Sequence, residues 1–160
     1  MIQNDRTPDG NAQDTQDTQD TQAAMPAENE SQELPRHEAR ARALEMLYER
    51  EIKNISCHEL LGSLVVPADS FVLTLVEGVC SNVVSIDAML DGASAGWPVD
   101  RMPVVDRLIL RMAVYELMAL VDIPLAVVLD EAVELANEYS TEDSGRFING
   151  VLSNIALVMR

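Results

Sequence analysis

An all-α fold follows from three features of the sequence. No stretch alternates apolar and polar residues with the period of two that a half-buried strand requires. Beyond residue 35, apolar side chains recur instead at three- and four-residue spacing, which gathers them on one face of a helix. Helix punctuation separates these runs: a capping box at Ser56 to Glu59, prolines at 67, 98, 103 and 124, and capping residues from Thr141 to Ser144. About six or seven helices around one contact-rich core are expected, which suits a chain of 160 residues.

Residues 1–34 repeat DTQ three times from Asp14 to Gln22 and carry few large apolar side chains. Such a segment buries too little surface to offset the entropy of ordering it, so a disordered acidic tail precedes a helical domain over 35–160. The first helix is expected from Arg36 to about Lys53, with Ala39, Ala43, Leu44, Leu47 and Tyr48 inward. Arg36 and Arg40 stand one turn apart and share a side. A short helix follows Ser56 and stops before Pro67. Asp69 to about Val84 reads as another, with Phe71, Val72, Leu75, Val76 and Val79 inward and Gly78 marking either close packing or a weak point. Ser85 is expected to cap a separate short helix from Ile86 to Leu90. Trp97, the single tryptophan, reads as a core or hinge anchor rather than a base-stacking platform.

Pro103 to Leu120 is the longest apolar-periodic run. Val104, Val105, Leu108, Ile109, Met112 and Ala113 form one broad stripe. Asp106, Arg107, Arg111 and Glu116 interrupt it, so one edge of this central helix is expected to reach the surface and carry recognition. Leu125 to Tyr139 forms the next helix, with Asp130, Glu131, Glu134 and Glu138 on its outer side. No histidine accompanies these acids at the ExxH spacing of carboxylate metal sites, so they read as a solvated face rather than a catalytic or metal-binding one. The last helix is expected to begin at Gly145 or Arg146, with Phe147, Ile148, Val151, Leu152 and Ile155 inward. Gly150 in its middle points to close packing or a contact surface.

Charge restricts function. The formal net charge is −16, and residues 1–34 hold eight acids and one base, which leaves −9 for the rest. A field of that sign repels phosphate, so nucleic-acid binding needs a local cationic patch. Five of the ten basic residues after the tail fall between 36 and 53. That cluster also fits a solvated face in which Glu38, Glu45 and Glu49 answer the arginines. Cys57, Cys80, His37 and His58 lack metal-ligand spacing, so neither a metal nor another cofactor is expected. No signal peptide or continuous membrane span is evident, and a cytoplasmic location is expected.

Three strings then carry a family resemblance: ARARALEMLYE, VDRLILRMAVYEL and IPLAVVLDEAVELANEYSTEDSGRFINGVLSNIA. In order and spacing, from Arg36 to Ala156, the chain resembles the NusB family of bacterial transcription antitermination factors. The resemblance implies two small three-helix bundles packed together and a noncatalytic adaptor. It also implies that the partners are NusE, a small ribosomal subunit protein, single-stranded boxA RNA of nascent ribosomal leader transcripts, and the antitermination complex on RNA polymerase. No membrane or small-molecule substrate is implied. The implied RNA-binding residues are Arg36, His37, Arg40, Arg42, Asp143 and Arg146, and the implied partner-binding residues are Tyr48, Asp106, Glu116 and Phe147. Glu38 and Ala41 stand where relatives often carry a basic residue, which thins the patch. A pure protein-interaction module without significant RNA contacts is the alternative.

Overall fold

The longest apolar run becomes the helix on which the others converge. In a computed structural model, which describes residues 33–159, the elements are α1 (Arg36–Lys53), α2 (Cys57–Gly62), α3 (Ser70–Ala93), a 3-10 turn at Val99–Arg101, α4 (Val104–Ala119), α5 (Leu125–Tyr139) and α6 (Glu142–Met159). No strand occurs among the described residues. The DTQ repeat and the rest of the expected tail up to residue 32 lie outside them. Leu34 already belongs to the folded part, because its N–H donates to the Asp69 carboxylate at 2.8 Å.

α1, α2 and α3 touch one another, as do α4, α5 and α6, and α3 lies along α4 to join the two sets. This is the arrangement of two packed three-helix bundles. Leu75, Ile86, Leu90, Leu108, Ile109, Met112, Leu135 and Ile148 are fully buried where the sets meet the common core. Burying each such side chain contributes about 1.5–3 kcal/mol toward offsetting the chain's lost freedom.

Local signals place most termini. α1 stops at Asn54, a left-handed residue whose N–H closes onto Arg50 and Glu51 carbonyls. α2 starts with the reciprocal capping box of Ser56 and Glu59. Asp69 caps α3 by accepting from the N–H groups of Phe71 and Val72.

Two expected boundaries are corrected. α3 runs unbroken through Ser85, because Ile86 and Leu90 continue its buried stripe and the chain never turns there; a serine caps only where the backbone leaves the helix. α6 begins at Glu142, three residues earlier than expected, with the Thr141 hydroxyl accepting from the Ser144 N–H at 3.1 Å.

α3 is also long and apolar enough by composition to cross a membrane. Glu77, Asn82 and Asp87 interrupt it, and its buried stripe packs on α1, α4 and α6. Gly78 resolves as close packing: a methyl group there would fall 2.0–2.4 Å from the Tyr115 ring of α4.

Candidate nucleic-acid interface

The start of α1 holds four of the implied RNA-binding residues, and their environments differ. Arg36 is exposed, and its guanidinium lies 4.0 Å from the centre of the Phe71 ring. A cation over an aromatic face is held in place without losing its outward N–H groups. His37 is clamped against α5, one ring nitrogen 2.7 Å from Glu131 and the other 2.8 Å from Glu138. The Glu131 hydrogen bond, against some desolvation and with help from Glu138, raises the imidazole above its ordinary value. Arg42 is half exposed and pairs with Glu45 at 3.3 Å.

Arg40 corrects the expected pairing of two phosphate-holding forks. It does lie on the side of Arg36, 5.3 Å from the Phe71 ring, but it is only 2% exposed. Its Nε donates to Glu116 at 2.9 and 3.2 Å and its Nη2 at 2.7 Å, while Nη1 lies 3.6 Å from Glu131. Burial disfavours its charge, yet the bonds and attraction of Glu116 outweigh that and raise its pKa above the ordinary value. Its donors are directed at the carboxylates of Glu116 and Glu131, and the side chain is withdrawn from the surface.

Two of the four charges of α4 are corrected with it, because Asp106 and Glu116 face inward, whereas Arg107 and Arg111 are partly exposed and tied to neighbouring helices. Glu116 and Asp106 are each 3% exposed. Asp106 accepts from the Ser140 and Ser144 hydroxyls at 2.7 and 2.8 Å, which ties the α5–α6 junction to α4. Arg107 donates to Glu51 of α1 at 2.6 Å, and Arg111 grips Asp87 of α3 through two bonds of 2.8 Å. Neither Asp106 nor Glu116 is a surface for a partner in this conformation; both join helices.

The start of α6 provides the outward groups. Arg146 is 74% exposed and only loosely paired, at 3.5 Å from Glu142 and 3.9 Å from Asp143. Asp143 projects into solvent from the first turn instead of capping it, since Thr141 has that role. Phe147 is half-buried with its ring centre 5.3 Å from that of Trp97. Trp97 itself is 48% exposed, so of the expected roles, core or hinge anchor, burial in the core is not the one it takes.

Tyr48 is likewise exposed, and with Leu44, Glu45, Val105 and Tyr139 it lines a mostly apolar cleft of about 350 Å³. A second cleft of about 470 Å³ separates α5 from α6, between Glu134 and Asn137 on one wall and Arg146 and Asn149 on the other. Glu134 also lies 3.9 Å from His37, so the start of α1 and the start of α6 flank one exposed face of α5.

Folding brings together what sequence spacing kept apart. His37, Glu131 and Glu134 place one ligand atom each within 4.8 Å of one another, a set able to approach a divalent cation. Cys57 and Cys80 become neighbours. Burial first, then the contact with Cys57, pushes the Cys80 thiol up to about 12, which leaves it a poor nucleophile.

A family model described as the NusB family matches residues 37–157. The transcription antitermination protein NusB of Saccharopolyspora erythraea is 45% identical over 127 residues, which span 76% of this chain and 86% of that protein. Its namesake from Kineococcus radiotolerans is 41% identical over 125 residues, 76% of this chain and 92% of that one. Among solved structures, T. maritima NusB matches with a TM-score of 0.71 at 34% identity, covering 78% of this chain and 92% of its own. A crystal structure of antitermination factors NusB and NusE in complex with dsRNA matches with a TM-score of 0.67 at 28% identity, covering 77% and 96%.

Proposed function

Because the chain belongs to the NusB family, we propose that it is a noncatalytic adaptor of transcription antitermination. It binds boxA RNA together with NusE and supports read-through by RNA polymerase in the cytoplasm. The carrying observation is the division of its cations: Arg40, Arg107 and Arg111 are each committed to a carboxylate on another helix, while Arg36 at the start of α1 and Arg146 at the start of α6 are exposed.

Each outward guanidinium offers a planar fork to phosphate oxygens. A few such forks on a chain of net charge −16 cannot hold RNA by bulk attraction, which supports a partner that completes the site. Tyr48 and its apolar cleft give that partner a place to dock, with an aromatic anchor beside a pocket. Arg40 and Glu116 serve the same function indirectly by fixing α1, and hence Arg36, against α4. The RNA is read as single-stranded, because unpaired bases expose edges that a closed A-form groove conceals.

The acids on the α5 face favour the alternative of a protein-interaction module with only incidental RNA contacts. Affinity for labelled boxA RNA, single-stranded and duplex, separates the two when measured with the chain, NusE and the pair. The adaptor reading expects the pair to bind the single strand about ten-fold or more tightly than either protein alone. Equal affinity of NusE and the pair would leave only the protein-interaction module.

A further inference from the structure

Three acids of α5 stand in one line with little to balance them. Glu131, Glu134 and Glu138 are spaced i, i+3 and i+7, so their carboxylates share a side of the helix, and like charges at such spacing destabilise it. Arg40 reaches Glu131 at 3.6 Å, but it spends its Nε and Nη2 on Glu116. Among the described residues, His37 is the single cationic group within 4 Å of Glu134 and of Glu138, at 3.9 and 2.8 Å. One imidazole therefore answers three carboxylates. Even when protonated, it brings one positive charge against them.

The histidine sets this group apart from an ordinary acidic face. His37 Nδ1, Glu131 and Glu134 each offer one ligand atom, and the three lie within 4.8 Å of one another. In a tetrahedral zinc site with bonds of ~2.1 Å, neighbouring ligand atoms stand roughly 3.4 Å apart. The separations of 2.7 Å from Nδ1 to Glu131 and 3.9 Å from Nδ1 to Glu134 bracket that spacing, and shifts of roughly 0.5–0.7 Å reach it. On the far side of the ring, Nε2 meets the Glu138 carboxylate at 2.8 Å. A carboxylate in that position holds the neutral ring's one proton on Nε2, leaves the Nδ1 lone pair to a cation and makes it a stronger donor. Sequence spacing hid the set, because the histidine comes from α1, 94 residues before Glu131.

We infer that His37, Glu131 and Glu134 form a binding site for one divalent transition-metal cation of the zinc class, with Glu138 orienting the histidine. One imidazole and two carboxylates suit such an ion and leave a fourth position to water. A dication on the neutral ring cancels two of the three negative charges, where a proton on the same ring cancels one. Bound there, it ties the first turn of α1 to α5. The site stands independently of the RNA-adaptor reading.

The chain has two histidines, His37 and His58, so each reports separately. Zinc chloride is titrated into the full chain carrying isotope-labelled histidine, with the ring nitrogens followed by NMR and the heat of binding followed in parallel. The His37 signals are expected to shift, Nδ1 most, and to saturate at one zinc per chain while His58 stays constant. Glu134→Gln, an exposed change that leaves the Arg40 ion pairs in place, is expected to weaken the saturable binding about ten-fold or more, and Glu138→Ala about ten-fold through the orientation of the ring. Asp130→Asn, on the same helix but outside the set, is expected to leave it unchanged. The site is overturned if the His37 signals ignore several equivalents of zinc, or if Glu134→Gln binds as tightly as wild type. It is overturned equally if saturation moves His58 and disappears with Cys57→Ser and Cys80→Ser, which would assign the zinc to the thiols.

Discussion

Replacing Arg40 with alanine separates an internal tie from an RNA contact. The substitution removes three donated hydrogen bonds of 2.7–3.2 Å and leaves the Glu116 carboxylate, 3% exposed, without a cation. An uncompensated charge at that depth costs about 3–5 kcal/mol. In a domain of this size that corresponds to a fall in melting temperature of roughly 10–20 °C. Urea denaturation of the wild type, Arg40→Ala, Glu116→Leu and the double variant Arg40→Met with Glu116→Leu checks it. Each single change should destabilise strongly, whereas the double change should recover most of the loss, because two apolar side chains of similar volume need no pairing. The structural assignment is refuted if Arg40→Ala is as stable as wild type within about 0.5 kcal/mol and instead binds RNA with a shallower salt dependence.

Gly78→Ala should destabilise by roughly 1–3 kcal/mol despite alanine's better helix propensity, because the Tyr115 ring occupies the space the methyl group needs; a neutral or stabilising result by thermal denaturation would show that the ring moves aside. His37, raised above 6.5 chiefly by Glu131, adds stability that is whole below that pH and disappears as pH rises through the higher folded value. His37→Gln should remove that component from a stability–pH profile, and an unchanged profile would place the titration elsewhere. Asp69 behaves oppositely. The N–H of Leu34 foremost, then those of Phe71 and Val72, hold its carboxyl below 3.8, so its contribution is whole above that pH and lost as pH falls through the lower folded value. Asp69→Asn should therefore lower stability at neutral pH and flatten the acid limb, whereas retention of that limb would contradict the cap.

Helix existence and inward faces were legible because both are local. Spacing located α1, α4 and α5 closely, and the capping box located α2. The division of α3 failed because a serine's capping tendency says nothing about whether the chain turns. The charges were misjudged for a different reason. Arg40 and Glu116 are 76 residues apart, and Asp106 meets Ser144 across 38, so no window contains both partners. A usable signal was nevertheless present. Glu116 continues the stripe of Leu108 and Met112, and Arg40 stands three residues before buried Ala43 and seven before buried Leu47. Opposite charges standing on two inward stripes mark a buried pair, not two recognition surfaces. The exposure of Trp97 depends on the left-handed turn at Ala95 and Gly96, which composition alone does not specify.

The salt dependence of single-stranded boxA binding by the pair with NusE tests most directly which cations face RNA. Each lost phosphate contact reduces the slope of log affinity against log salt by about 0.7. Arg36→Ala combined with Arg146→Ala should make the slope shallower by about 1.4, while Arg40→Ala, measured where it is fully folded, should leave it unchanged. A slope that responds to Arg40 and ignores Arg36 and Arg146 would contradict the account.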